Sequence, residues 1–75
     1  MTIHTNNLKI LRLQHNFSQQ QVADYLGIKG QNRISRWEAG MAVPALKNSL
    51  MLCKLYKVTL GYIYCYAKID GREQE

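Results

Sequence analysis

The stretch SQQQVADYLGIKGQNRISRWEAG, residues 18–40, carries the signals for two short helices joined by a turn. Ser18 and Gln21 have the spacing of a capping box, in which the two residues satisfy each other's backbone N–H groups at the start of a helix. Apolar residues at helical spacing supply the buried stripe of this helix: Val22, Ala23 and Leu26. Gly27 then ends the helix, because glycine adopts the left-handed conformation of a helix end without strain.

A further helix is predicted over residues 31–39, after a turn at residues 28–30. Ile34 and Trp37 lie three residues apart, so both face the same side of the helix and are predicted to be buried. Gly40 is the C-terminal stop. The side chains left on the outer surface are all polar: Gln31, Asn32, Ser35 and Arg36.

These outer side chains match the chemistry of base edges in the DNA major groove. Glutamine and asparagine can form two hydrogen bonds with adenine, arginine can do the same with guanine, and serine can bond either base. No acidic residue occurs between Asp24 and Glu38, so the basic residues of this stretch lie in an uninterrupted positive field. A polar helix surface without carboxylates is what entry into a phosphate-walled groove requires.

The flanking sequence is also helical. A first helix is predicted from Asn6 or Asn7, either of which can cap it, to Asn16, which tolerates the left-handed conformation. One face of this helix carries Leu8, Leu11 and His15. Pro44 suits the first position of a fourth helix that runs to about Lys57. The residues predicted to face inward from it are Leu46, Leu52, Cys53 and Tyr56.

Thr59 can cap a fifth short helix that ends near Lys68, after which residues 70–75 are expected to fray. The sequence shows no alternating strand pattern, repeat or low-complexity stretch. At 75 residues the chain has room for one small domain. The prediction is therefore a compact all-α domain of five helices over residues 1–69.

The charge of the chain favours a polyanionic partner. The formal net charge is +5, from ten Lys and Arg against five Asp and Glu. Residues 1–57 hold eight of these bases and two of the acids, so the positive charge is concentrated in the predicted helices. Together with the outer side chains of the third helix, this charge favours double-stranded DNA as the partner.

Other classes of function find less support. The sequence has no paired carboxylates, phosphate-binding loop or metal-ligand spacing, so we expect no enzyme and no cofactor, metal or small-molecule ligand. Cys53 and Cys65 have apolar neighbours and are interpreted as small buried residues. The apolar run from Leu60 to Ala67 is too short to span a membrane, and the N-terminus does not resemble a signal peptide. We expect a cytoplasmic protein without a membrane partner.

The chain resembles the phage-repressor and Cro-like helix-turn-helix family from Leu8 to Ile63. The residues that carry the resemblance are Leu11-Arg12, Ser18-Gln19, Val22-Ala23, Leu26-Gly27, Ile34 to Glu38, Gly40, Pro44 and Val58 to Leu60. The resemblance implies a lambda-repressor-like fold, in which the second and third helices form the helix-turn-helix and the third enters the major groove.

The resemblance also implies roles for individual residues. Those that would contact base edges are Gln31, Asn32, Ser35 and Arg36. The alternative for Ser35 is a small spacer that allows close approach without specifying sequence, and for Arg36 it is a phosphate contact or a surface position. Gln19 would bond a backbone phosphate and brace the first base-contacting side chain, and the N–H groups at the start of its helix would contact the same phosphate. Arg12 and Glu38 would form a structural ion pair between the first helix and the end of the third.

The turn between the two helices is longer than in the commonest form of the family. Six residues separate Gly27 from Ile34, one more than is usual. The start of the third helix is therefore defined only to within one residue, and Gly30 or Lys29 could lie nearer the groove.

Further contacts to DNA phosphates are expected from three basic residues: Lys29, Arg33 and Lys47. For Arg33 a solvated surface position is the alternative. The resemblance implies a loop after Gly40 whose basic residues hold a DNA phosphate. Here that loop is Met41-Ala42-Val43, which has no basic residue, and Lys47 is the nearest replacement. We therefore expect fewer ionic contacts than the net charge indicates.

The C-terminal part of the domain predicts an interface. Tyr62, Tyr64 and Tyr66 alternate, and residues two apart on a helix diverge by about 200°, so they cannot all face one core. Tyrosine is favoured at interfaces, and the resemblance implies dimers formed through this region. The predicted homodimer interface comprises Leu60, Tyr62, Ile63, Tyr64 and Tyr66. The alternative is a monomer whose terminal helix wraps onto its own core.

The leading hypothesis is a small repressor that binds an inverted-repeat operator as a homodimer. A control gene of a phage or another mobile element is consistent with so short a chain. The alternative is an antitoxin or adaptor that uses the same fold mainly to bind a protein partner through its Tyr-rich end. The polar outer surface of the third helix, which lacks carboxylates, favours the DNA-binding hypothesis.

Overall fold

The computed structural model describes residues 6–64, in which the chain forms five α-helices and no β-strand. The helices are α1 (Leu8–Gln14), α2 (Gln19–Leu26), α3 (Asn32–Glu38), α4 (Leu46–Tyr56) and α5 (Leu60–Ile63). The predicted all-α fold is confirmed. Cys65, Tyr66 and the tail at residues 70–75 lie outside the described residues.

The start and end of α2 follow from its sequence. The Ser18 hydroxyl accepts a hydrogen bond from the Gln21 backbone N–H at 3.0 Å, and Gln21 Oε1 accepts one from the Ser18 N–H at 2.7 Å. Gly27 closes the helix with a φ of 74°, in the left-handed region. The predicted capping box and glycine stop are both confirmed.

Two asparagines define the ends of α1. Asn6 Oδ1 accepts a hydrogen bond from the Leu8 N–H at 3.0 Å, so its side chain satisfies a backbone donor at the helix start. The helix ends at Gln14, and Asn16 follows in the left-handed conformation with a φ of 61°. Asparagine tolerates this conformation because its short polar side chain can hydrogen-bond locally.

The turn before α3 occupies residues 28–31, so the predicted start of α3 at Gln31 is wrong by one residue. Gln31 precedes the helix, and its carbonyl accepts the first helical hydrogen bond, from the Ser35 N–H at 3.0 Å. The reason is the additional residue of the turn, which moves the helix start to Asn32. At the other end, Gly40 follows α3 with a φ of 78°, as predicted.

The core lies between the five helices, and its buried members come from all of them. They are Leu8, Leu11, Val22, Ala23, Leu26, Ile34, Trp37, Leu52, Tyr56 and Ile63. Ala23 is completely buried where α2 packs against α3, so its small side chain permits the close approach of the two helices. The predicted burial of Ile34 and Trp37 is confirmed.

The start of α1 is hydrogen-bonded to the ends of α3 and α5. Asn6 Nδ2 donates to the Trp37 carbonyl at 2.8 Å, and Asn7 Nδ2 donates to the Tyr62 carbonyl at 2.7 Å. The Asn7 backbone N–H donates to the Ile63 carbonyl at 2.7 Å. Carbonyl groups at a helix end lack a partner within the helix, and these bonds connect such groups of α3 and α5 to the start of α1.

The start of α4 differs from the prediction. Ala45 is the N-terminal cap in an extended conformation, with a ψ of 162°, so Pro44 precedes the helix and is not its first residue. The Pro44 carbonyl accepts a hydrogen bond from the Ser49 hydroxyl at 3.3 Å, which ties the preceding loop to the buried side of α4.

The predicted inward orientation of Leu46 is also wrong, since this residue is 66% exposed. The buried stripe of α4 consists of Ser49, Leu52 and Tyr56. At about 100° per residue, the centre of this stripe lies roughly 90° around the helix from Leu46. Cys53, at the edge of the stripe, is half-buried, and burial raises the pKa of its thiol.

α5 is a short helix of four residues. Thr59 Oγ1 accepts a hydrogen bond from the Tyr62 N–H at 3.1 Å, which confirms the predicted cap. The helix ends at Ile63, and the predicted end near Lys68 lies outside the described residues. Tyr64 leaves the helical conformation, with a φ of −98° and a ψ of 14°, and its hydroxyl lies 2.9 Å from the Ser49 hydroxyl.

His15 closes one end of the core as part of an aromatic cluster. Its ring stacks on Phe17, with centroids 5.9 Å apart, and packs at 5.4 Å against Tyr56 of α4. His15 Nδ1 also lies 2.9 Å from the Leu11 carbonyl. The cluster therefore connects the end of α1 to α4.

Tyr56 should make the domain sensitive to alkaline pH. Burial raises the pKa of its phenol to about 12, and the Glu38 carboxylate adds to the shift. A tyrosine in the unfolded chain titrates near ~10, so the stabilisation is complete below that pH and is lost as the pH rises toward 12. Urea unfolding at about pH 8 and about pH 11 should show a larger loss of stability for the wild-type chain than for Tyr56→Phe. Equal losses would contradict this assignment.

Candidate nucleic-acid interface

α3 presents a polar surface on the side opposite its buried residues. We call this surface the outer face of α3, and its members, all exposed, are Gln31, Asn32, Ser35 and Arg36. Successive helical residues are rotated by about 100°. Asn32 therefore lies at the centre of the outer face, and Ser35 and Arg36 lie roughly 50° to either side of it, Ser35 on the side of Glu38.

Glu38, the acidic residue at the end of α3, is turned into the protein and paired with Arg12 of α1. Arg12 Nε donates to Glu38 Oε2 at 2.6 Å, and Arg12 Nη2 donates to Oε1 at 3.2 Å. The two side chains are only 10% and 5% exposed, and the hydrogen bond to Glu38 raises the pKa of the Arg12 guanidinium. Because this carboxylate is enclosed and paired, the outer face of α3 has no exposed negative charge.

Gln19, the first residue of α2, is hydrogen-bonded to the same carboxylate. Gln19 Nε2 donates to Glu38 Oε1 at 3.1 Å. The role that the resemblance implies for Gln19 on DNA, to bond a phosphate and brace the first base-contacting side chain, stays a prediction. In this chain Gln19 contacts the end of α3, so Glu38 links the N-terminal part of α2 to both α1 and α3.

The three candidates for phosphate contacts occupy different environments. The Arg33 guanidinium lies over the Trp37 ring, 5.7 Å from its centroid, so its charge is held by a cation–π contact at the other edge of α3. Lys29 is exposed in the turn before α3, and Lys47 is exposed in the first turn of α4. The outer face of α3 is thus flanked by cations on the turn and on α3 itself.

The segment after α3 exposes apolar side chains in place of basic ones. Four large residues here are between 47% and 66% exposed: Met41, Val43, Leu46 and Leu50. Leu46 and Leu50 are four residues apart and therefore neighbours on the surface of α4. The side chains of Met41 and Val43 carry no charge, so any phosphate contact in this loop has to come from backbone N–H groups.

The residues predicted for a dimer interface are not equally accessible. Ile63 is completely buried in the core of its own chain, so its inclusion in the predicted interface is corrected. Tyr62 is 39% exposed, whereas Leu60 and Tyr64 are half-buried. Tyr66 lies outside the described residues.

Lys9 is a candidate site residue that the sequence analysis missed. It lies on α1 and lines an open pocket of about 210 Å³ together with Gln19 and Ser35. Lys9 is three residues before Arg12, on the neighbouring part of the helix surface. That spacing was the available signal, but the pocket depends on how α1 packs against α3, which the sequence does not state.

Two kinds of feature are absent from residues 6–64. No group of three or more His, Cys, Asp and Glu side chains is arranged to hold a metal ion. Within the same residues, no helix has the length and apolar character needed to cross a membrane.

A family model described as helix-turn-helix matches residues 8–63, which include all five helices. No curated protein is significantly similar to the chain.

Proposed function

Because the chain belongs to the phage-repressor and Cro-like helix-turn-helix family, we propose that it is a sequence-specific transcriptional regulator that inserts α3 into the major groove of DNA. Membership of this family implies DNA binding. The observation that carries the proposal is the outer face of α3, which is polar, exposed and free of exposed carboxylates. The finer role is that of a small repressor of an inverted-repeat operator.

The outer face of α3 has the chemistry to distinguish base pairs. Arg36 can donate two hydrogen bonds to guanine, and Asn32 can bond adenine through its amide oxygen and nitrogen. Asn32 lies at the centre of the face, where a helix in the groove approaches the base edges most closely, and Arg36 lies beside it with a longer side chain. Gln31, just before the helix, extends the same recognition by one base step.

A homodimer would give the protein its affinity and its operator symmetry. One module of this size makes a small interface with DNA, whereas two recognition helices related by twofold symmetry contact half-sites roughly 34–36 Å apart. Residues of the α5 region are the proposed interface: Leu60, Tyr62, Tyr64 and Tyr66. The exposure of Tyr62 supports this surface, because a tyrosine combines a large apolar area with a polar hydroxyl.

The proposal is tested by selecting binding sites for the full chain from a pool of random duplexes. We expect enrichment of an inverted repeat whose half-sites are about one helical turn apart. Enrichment of a single unrepeated half-site would support DNA recognition but contradict the dimer. Weak binding that salt abolishes, without enrichment of any sequence, would overturn the proposal.

Gln31→Ala should weaken binding to the selected site by about 1–3 kcal/mol and leave binding to scrambled DNA nearly unchanged, because only the correct base pairs with the amide. Gln14→Ala, at an exposed glutamine on α1, is the matched control and should change neither affinity. Dissociation constants measured by fluorescence anisotropy check both variants. An equal loss on selected and scrambled DNA would show that Gln31 does not contact a base.

A second candidate function, that of an antitoxin or adaptor, is favoured by one observation. The exposed apolar residues Met41, Val43, Leu46 and Leu50 form a surface of the kind that protein partners cover. A chain with this function would show no sequence enrichment from random duplexes, so the same selection separates the two candidates.

A further inference from the structure

Three helices contribute one polar side chain each to a common pocket beside the outer face of α3. Lys9 comes from α1, Gln19 from the start of α2 and Ser35 from the middle of α3, and the pocket they line has a volume of about 210 Å³. All three side chains can donate hydrogen bonds. A pocket lined by three donors, one of them a cation, has the chemistry to hold an anion.

Glu38 also lines this pocket, but its charge is already compensated. Glu38 Oε2 accepts from Arg12 Nε, and Oε1 accepts from both Arg12 Nη2 and Gln19 Nε2. The Glu38 side chain is only 5% exposed. Within residues 6–64, the only ion pair joins Arg12 to Glu38, which leaves the ammonium of Lys9 uncompensated.

The hydrogen bond to Glu38 orients Gln19 without exhausting its donors. The side-chain amide nitrogen carries two hydrogens, of which Glu38 accepts one. The second remains for a ligand, as does the hydroxyl hydrogen of Ser35. Glu38 is therefore a positioning residue: it holds the Gln19 amide at the mouth of the pocket.

We propose that Lys9, Gln19 and Ser35 together bind one phosphate of the DNA backbone at the edge of the groove that α3 enters. The proposal rests on the proposed DNA-binding function and changes the role of two residues. Lys9 becomes a DNA contact on α1. Ser35, at the edge of the outer face, contacts the phosphate and not a base, so it positions α3 without specifying sequence.

Lys9→Met tests the charge contact, with Lys54→Met, at an exposed lysine of α4, as the matched control. Each phosphate contact to a cation contributes about 0.9 to the slope of log K against log salt concentration. For Lys9→Met we expect this slope to fall by about 0.9 for each bound chain, with the same fold-loss on selected and scrambled duplexes at a given salt concentration. Lys54→Met should keep the wild-type slope.

Two further measurements locate the contact. A set of duplexes is prepared in which one backbone phosphate at a time is replaced by a neutral methylphosphonate. At one position, this replacement should weaken binding of the wild-type chain and leave the affinity of Lys9→Met unchanged. Ser35→Ala should lower affinity for all sequences equally, and a repeated site selection with this variant should return the wild-type base preferences.

Any of three results would overturn the proposal. The first is an unchanged salt slope for Lys9→Met, and the second is that every methylphosphonate that weakens binding of the wild-type chain also weakens binding of Lys9→Met. The third is an altered base preference for Ser35→Ala. These results leave the proposed function intact as long as the wild-type chain selects a defined operator. If the wild-type chain selects no sequence, the proposed function fails first, and the phosphate site fails with it.

Discussion

Trp37→Ala should remove a large part of the free energy of unfolding of the domain. Trp37 of α3 is 4% exposed in the core, and the Arg33 guanidinium lies over its ring. Removing a buried aromatic side chain costs about 3–5 kcal/mol, because the cavity left behind collapses only partly. A 75-residue domain has a total stability of about 4–11 kcal/mol, so this substitution removes much of it.

Thermal unfolding followed by circular dichroism measures this effect, and Leu46→Ala is the control. Leu46 is also a large apolar residue of a helix, the first residue of α4, but it is 66% exposed. Its replacement should change the free energy of unfolding by no more than about 0.5 kcal/mol. A Trp37→Ala protein that melts within a degree of the wild type would mean that the core does not depend on this residue.

Arg12→Met should have the second largest effect, a loss of about 3 kcal/mol in the free energy of unfolding. The substitution keeps most of the apolar stem of the side chain but leaves the Glu38 carboxylate enclosed without its cation. Breaking a buried ion pair on one side costs about 3–5 kcal/mol, and the shallow core of so small a domain places the cost at the lower end. The lost bond from Arg12 Nη1 to the Phe17 carbonyl adds to it.

A double variant separates two causes of the loss in stability: the unpaired Glu38 carboxylate and the missing contacts of the Arg12 side chain. Arg12→Met combined with Glu38→Leu removes both charges, so it should be more stable than Arg12→Met alone. Arg36→Met, at an exposed arginine of α3, is the control and should unfold like the wild type. If the double variant is less stable than Arg12→Met, the enclosed carboxylate is not the source of the loss.

The two stability predictions bear on function because both residues hold α3. Trp37 anchors the buried side of the helix, while the Arg12–Glu38 pair and the Asn6 hydrogen bond to the Trp37 carbonyl fix its C-terminal end. A recognition helix has to be held within a fraction of an ångström for its side chains to meet base edges. Variants that loosen α3 without unfolding the domain should therefore lose discrimination between sequences before they lose general affinity for DNA.

Features that depend on neighbouring residues could be predicted from the sequence. The Ser18–Gln21 capping box, the glycine at the end of α2 and the Thr59 cap of α5 each involve residues within four positions of one another. Their geometry is set by local backbone chemistry, which the order of residues states directly. The alternation of buried and outer residues on α3 was predictable for the same reason.

Features that depend on how helices pack could not be predicted. Leu46 has an apolar side chain of the kind found in protein cores, but the orientation of α4 exposes it to solvent. The packing of α2 on α3 brings the Gln19 amide to Glu38, a contact that the sequence does not indicate. Each outcome depends on contacts between residues far apart in the chain, and helical periodicity carries no information about them.

The candidate site shows the same division. The residue types on the outer face of α3 were evident from the sequence, and their exposure follows from the burial of Ile34 and Trp37. The pocket that Ser35 shares with Lys9 was not evident, because it depends on the position of α1 beside α3.

The central claim is that the outer face of α3 recognises a particular DNA sequence. Its most direct test is the ratio of two dissociation constants of the full chain, one for the selected duplex and one for the same duplex with scrambled half-sites, at a single salt concentration near 0.15 M. Specific recognition predicts binding to the selected duplex at least about 10³-fold tighter. A ratio near one would contradict it and leave only a basic surface that binds polyanions without regard to sequence.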